Sequence, residues 1–154
     1  MATPLSDALA KLILHIKPIT DQIGVREVND YPKAMVEHIN PPVIDIQTMP
    51  EGALKNVGQG SSLIIQHPFN FRLWFYSEEL SASTKFQDAR EKLEAIQDYL
   101  LHHLSVDNGW GDLGLSDADT FEGLNINPGE IFGMGGAVYE GGYIDVSLKR
   151  LESY

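Results

Sequence analysis

Five histidines, His15, His38, His67, His102 and His103, and the aspartates Asp107, Asp112, Asp117 and Asp119 are the side chains that could ligate a metal ion or move a proton. Neighbouring residues on a helix point about 100° apart, so His102 and His103 cannot share one ion as an i, i+4 pair does. Their place near the end of a predicted helix has a plainer account, the negative C-terminal end of the helix dipole. Asp107-Asn108-Gly109-Trp110-Gly111-Asp112 is rich in calcium-loop residues but lacks the alternating ligands and terminal Glu of an EF-hand, and it reads as a solvated acidic loop. Gly133-Met134-Gly135-Gly136 has the glycines of a phosphate cradle, yet no Lys-Ser or Lys-Thr follows and a strand comes next, so it reads as a turn. Glu78 and Glu79 are adjacent on an extended segment and face opposite ways, which does not suit an acid/base pair. Gly58-Gln59-Gly60-Ser61 approaches a nucleophile elbow without matching it. These patterns assemble no catalytic set and call for no cofactor or metal, so a non-enzyme is expected.

The aromatic residues remain, and they are best read through the elements that carry them. Phe69-Asn70-Phe71-Arg72-Leu73-Trp74-Phe75-Tyr76 predicts a strand with Phe69, Phe71, Leu73 and Phe75 on one face and Asn70, Arg72, Trp74 and Tyr76 on the other. Both faces are too apolar for plain exposure to water. The following segment, with Phe86, Ala89, Leu93, Ile96, Leu100 and Leu104 at spacings of three and four, predicts a long amphipathic helix able to cover one of them. Thr84 and Gln87 have capping-box spacing at its start. The second face is expected to need another cover, for which a second subunit is a candidate. Trp74, Tyr76, Trp110, Phe121, Tyr143 and Tyr154 are therefore candidate interface residues, since large aromatics dominate interface hot spots, although they also serve as ordinary core residues.

Elsewhere the pattern is mixed. Thr3-Pro4 opens a helix with an apolar stripe of Leu5, Ala8, Leu9, Leu12, Ile13 and Ile16, and Pro18 is expected to stop it. A strand is expected at Gln22 to Glu27, a turn at Tyr31-Pro32, a helical piece over Lys33 to Ile39, and a strand from Val43 to Met49. Glu51 to Gly60, with Gly52, Gly58 and Gly60 and no apolar period, reads as a hairpin tip or a loop that orders on docking. Ser61 to Gln66 resumes as a strand, with His67-Pro68 as a bulge or bend before the aromatic strand. Val106 to Gly136 predicts irregular loops pinned by single bulky residues such as Trp110 and Phe121. Val138 to Leu151 alternates as a closing strand, with the aromatic strand as its natural neighbour. The expected fold is one α+β domain over residues 1–154: a mixed, mainly antiparallel sheet with an N-terminal helix and one long central helix packed on it.

Charge and composition narrow the function classes. The net charge of −11 lies almost wholly in the second half: residues 1–77 hold 6 Lys and Arg against 7 Asp and Glu, residues 78–154 hold 5 against 15. Such a field disfavours nucleic acid and anionic membrane, and it serves either solubility or a purposeful negative surface. With no cysteine there is no disulfide framework or thiolate metal site. No signal-peptide pattern and no apolar run of about 20 residues is present, so a soluble protein is expected.

In element order the chain resembles the tail terminator proteins of long-tailed bacteriophages. The residues carrying the likeness are the N-terminal helix to Pro18, Tyr31-Pro32 before Val43 to Met49, Phe69 to Tyr76 leading into Phe86 to Leu104, and the closing run Gly135 to Leu148. The resemblance implies a structural protein of the virion neck, assembled in the host cytoplasm. Its implied partners are its own copies in a hexameric ring, the tail tube protein, the head-tail connector and, where present, the sheath, with DNA only passing through the lumen. An acidic second half suits such a conduit, since negative walls repel phosphate. Two other classes stay open on the residues alone. One is a small acidic metal-dependent enzyme using the loop carboxylates and a histidine; the other is a non-viral adaptor that binds a partner through Trp74 and Trp110.

Overall fold

The computed structural model describes residues 4–49, 53–80, 86–105 and 120–154. Helix α1 spans Pro4–Gln22 and helix α2 spans Phe86–Ser105; the strands are β1 Glu27–Asn29, β2 Val43–Thr48, β3 Lys55–Asn56, β4 Ile64–Glu79, β5 Thr120–Phe132 and β6 Val138–Ser153. They form a six-stranded sheet in the order β1-β2-β4-β6-β5, with β3 paired to β4. Only β1 and β2 run parallel; the other pairings are antiparallel. The α+β class, the mainly antiparallel sheet and the two helices on it agree with the sequence reading, as does the pairing of the closing strand with the aromatic one.

The main core lies between the helices and one face of the sheet. Ala8, Leu12, Ile16 and Ile19 of α1 and Ala89, Leu93, Ile96 and Leu100 of α2 meet Ile44, Ile46, Phe69, Phe71, Leu73, Phe75, Ile144 and Val146, all buried. Their spacing of three and four on the helices and of two on the strands is what lets the two layers interlock. Each large apolar side chain contributes roughly 1.5–3 kcal/mol through burial.

Several local expectations change. Pro18 does not stop α1, which runs on to Gln22. The hydrogen bond that proline forfeits belongs to the carbonyl of Leu14, and Leu14 and Pro18 are both exposed, so water can serve that carbonyl, while Ile19 and Thr20 bury in the last turn. The strand expected at Gln22 to Glu27 is accordingly helix end and turn, and β1 begins at Glu27. The helical piece expected to Ile39 shrinks to a 3-10 turn, Lys33–Met35.

His67-Pro68 makes no bend; β4 runs unbroken through it. The carbonyls of Ile64 and Asn70 accept bonds from Val57 and Met49, so even-numbered residues aim their backbone groups toward β2 and β3. The missing N–H of Pro68 thus falls between the β2 and β3 pairings, where no ladder bond is asked of it. The second half of the expected irregular region is a 13-residue edge strand, β5, whose glycines and Pro128 hid its alternation. Trp110, Gly52 and the expected cap at Thr84 lie outside the described residues, as do Asp107, Asp112, Asp117 and Asp119.

Two glycines allow the three long strands to close up. A Cβ on Gly141 would collide with the carbonyl of Phe75, beside the β-bulge that shifts the β4–β6 register between Tyr76 and Glu78. One on Gly142 would collide with the Asn127 carbonyl and lie 2.8 Å from Cδ2 of Leu93 in α2. Gly141→Ala is expected to cost about 2 kcal/mol or more, because backbone rather than a movable side chain blocks it. Gly24→Ala, with φ of +78° and open space around it, should cost only about 1–2 kcal/mol. Urea unfolding of both variants checks the ranking.

Candidate functional site

Apart from the adjacent His102 and His103 of α2, the histidines sit on separate elements. His15 is half-buried on α1 with its ring 6.1 Å from that of Tyr99, His38 follows the 3-10 turn 3.6 Å from Glu79, His67 lies on β4 beside Phe69 and Tyr154, and His102 is exposed on α2. Among the described residues no three potential ligands gather around a point fit for a metal ion. Gly58 and Gly60 shape the β3–β4 hairpin: a Cβ at Gly58 would collide with the carbonyl of Ser62, and Gly60 has φ +66°. Gly133 to Gly136 form the β5–β6 turn, closed by the Gly133 N–H donating to the Ala137 carbonyl at 2.8 Å.

The second face of the sheet is partly covered by this chain itself. The segment linking the parallel strands β1 and β2 crosses that face and packs Ala34 and Ile39 against Val43, Tyr76, Ile131 and Tyr139. Tyr76 is only 1% exposed and meets Tyr139 edge-on at 5.3 Å, so it belongs to a core and offers nothing to a partner. That corrects the expectation of Tyr76 as an interface residue. The missed determinant is Asp45, fully buried on β2, whose carboxylate accepts bonds from the backbone N–H of Ala34 and from Asn29 Nδ2, both at 2.9 Å. Burial pushes this carboxyl above its ordinary range, while the bonds from Ala34 and Asn29 pull it back. Its position explains its role: it pins the crossover to the sheet.

Farther along the same face, Trp74 and Tyr143 are half-buried and 4.9 Å apart, and the Trp74 indole N–H donates to Gln47 Oε1 at 2.9 Å. The Arg72 guanidinium lies 4.0 Å over the Tyr143 ring, 5.3 Å from that of Trp74, and donates twice to Asp145 at 2.7 and 3.0 Å. The Arg72 guanidinium, the Asp145 carboxylate and the Trp74 indole N–H are thus bonded within the sheet. Tyr154 is 67% exposed, and its backbone N–H donates to the Leu63 carbonyl. The side chain of Phe121 lies outside the described residues.

Exposed apolar side chains collect at the two ends of the sheet. At one end Leu54, Val57, Leu63 and Tyr154 ride on the hairpin of β3 and β4 and the end of β6. At the other, Met35 and Val36 of the crossover stand beside Phe132 and Met134 of the β5–β6 turn, where Gly133 abuts the Ala34 carbonyl. Neither patch was found in the sequence, because each joins residues from separate segments.

This second end is also acidic. The sheet register sets Glu78, Glu140 and Glu130 side by side on β4, β6 and β5. Glu140 is 7% exposed, and burial, then Glu130 and Glu78, raise its carboxyl above the ordinary range against the pull of Arg90. A cleft of about 340 Å³ beside Arg26, Lys33, His38 and Asn40 has its cations engaged: Lys33 pairs with Glu27 at 2.8 Å and Arg26 Nε donates to the Pro41 carbonyl. No helix among the described residues is long and apolar enough to cross a membrane. The chain matches no protein-family model and no curated protein.

Removing the pin should cost more than its size suggests. Asp45→Ala strands the buried Ala34 N–H and is expected to destabilise by about 1–3 kcal/mol in urea unfolding. Glu140→Gln should act in the opposite sense. Below the ordinary glutamate value of 4.5 folded and unfolded chains both hold the proton. As pH climbs from there through the raised folded value, the unfolded chain releases its proton first and stability falls. The variant is therefore expected to melt above the unaltered protein at neutral pH, with the gap closing in acid, as thermal scans across pH would record.

Proposed function

We propose that this protein is a structural component of a long-tailed bacteriophage virion, a tail terminator that forms a homohexameric ring, caps the tail tube and joins it to the head-tail connector. The observation that carries the reading is the sheet end bearing Leu54, Val57, Leu63 and Tyr154, 45–67% exposed among the described residues, a grouping of apolar side chains from separate strands of the kind that marks an interaction surface. The arrangement of an N-terminal helix, a mainly antiparallel sheet, a long central helix and a closing strand beside the aromatic one supports it, because this is the order the resemblance rests on. In this role the ring would act by occupation. Seated on the last layer of tube subunits, it takes the surface that further subunits would use, and it offers its opposite side to the connector and, in a contractile tail, the sheath. The acidic second half suits a lumen through which DNA passes without adhering.

Native mass spectrometry is expected to find a particle of six copies, and adding the protein to elongating tail tubes should halt growth at once. A protein that remains a monomer at submillimolar concentration, leaves tube growth untouched and binds calcium or zinc in stoichiometric amount would overturn the reading and favour a metal-dependent enzyme.

A further inference from the structure

We infer that the outer edge of β1 takes up an extended segment of another protein, one with an apolar side chain for the α1 side of the sheet and a carboxylate for Arg26. This edge lies apart from the exposed sheet end on which the ring reading rests, and its occupant is not a second copy of this chain. Among the described residues β1 is the last strand on its side of the sheet. The Met49 N–H donates to the Asn70 carbonyl directly opposite it in register, so odd-numbered residues of β2 bond to β4 and Ile44 turns its backbone toward β1. In a parallel pairing Ile44 then bonds to Glu27 and Asn29, on either side of its register partner Val28. The N–H and C=O of Val28 therefore point outward, where no described strand meets them.

A cleft flanks this edge on each face. On the helix face one of about 210 Å³ is lined by Ile13 and Leu14 of α1 and by Val25 and Val28, with Leu14 70% exposed. On the other face lies the cleft of about 340 Å³ beside Lys33, His38 and Asn40. Both reach Arg26 and Glu27 at the start of β1. Successive side chains of an added strand alternate between the faces, so one enters each cleft while the backbone bonds to Val28, the combination by which sheet edges recognise extended peptides.

Charge selects the polar side chain. Lys17 pairs with Asp21 at 3.0 Å, Lys33 pairs with Glu27 at 2.8 Å and Glu37 at 3.5 Å, and His38 lies 3.6 Å from Glu79. Arg26 is held through Nε by the Pro41 carbonyl, and no carboxylate among the described residues pairs with it. Its two terminal nitrogens can take one from outside. Asp30, exposed just beyond β1, repels an acid at the far end of the strand and so favours it at Arg26. The described stretches of this chain that alternate in this way, Ile44-Asp45-Ile46 and Ile144-Asp145-Val146, lie in β2 and β6 between other strands, which is why the occupant comes from another protein.

A capped, fluorophore-labelled peptide of alternating valine and glutamate is the probe, read by anisotropy. It should bind one to one, and the same peptide with lysine for glutamate at least about tenfold more weakly. Leu14→Ser, at a side chain outside the core, and Arg26→Gln should each weaken the glutamate peptide about tenfold, with thermal melting to confirm that both variants fold. Only alternate amides of an added strand can reach Val28, so N-methylating either all the valines or all the glutamates should abolish binding in one case and spare it in the other. Equal effects of the two methylations, unchanged binding in both variants, a preference for the lysine peptide or no binding of the glutamate peptide would each overturn the inference. A protein that forms rings yet fails these tests loses this site and keeps the reading above; one that passes them as a monomer keeps the site alone.

Discussion

The central strand of this protein is longer than the helices that cover it. A 20-residue helix is about 30 Å long at 1.5 Å per residue, whereas the 16 residues of β4 reach about 50 Å. The helix layer seals Phe69, Phe71, Leu73 and Phe75, and the strand runs past that layer at its hairpin end. Beyond that layer Ile64 to Pro68 are only partly buried. The exposed Leu63 and Tyr154, and the hairpin residues beside them, follow from that mismatch of lengths and not from a local oddity of sequence.

The second face of the sheet meets the same difficulty by two other means. At the corner end the crossover between β1 and β2 brings Ala34 and Ile39 over Tyr76 and Tyr139, and the buried Asp45 carboxylate holds it there. Toward the middle, where no segment crosses, the face is furnished with side chains that satisfy one another. Arg72 is locked to Asp145 and lies over Tyr143, and Trp74 is held by Gln47. An aromatic face that reads as surplus apolar surface in one dimension is thus largely accounted for by neighbours from β2 and β6. The polar partners were the informative residues, and they lie on other strands.

The corner end of the sheet carries its own electrostatic strain. Three glutamates side by side would be costly in water-poor surroundings, and burial already holds the Glu140 carboxyl toward its neutral form. Arg90 of α2 relieves part of that repulsion from within the chain. The same corner bears the exposed apolar side chains Phe132 and Met134.

The local chain was sufficient to locate both helices, the Val43 strand, the aromatic strand and the closing strand, because each carries its own period of apolar residues and a burial demand on one face. Much of the fold class was legible from those alone. Tertiary structure decided the rest. Pro18 stays helical because its lost bond faces solvent while Ile19 packs inward; β5 exists because β6 supplies its partner despite Gly123, Pro128 and Gly129; Pro68 is tolerated because neither β2 nor β3 pairs where its N–H is missing. Periodicity states that a side chain must be hidden, but what hides it, and which ends remain uncovered, depends on strands and crossovers far away in sequence. For that reason Tyr76 passed from candidate contact to core, while Leu54, Leu63, Val36 and Phe132 emerged as surface only once the layers were assembled.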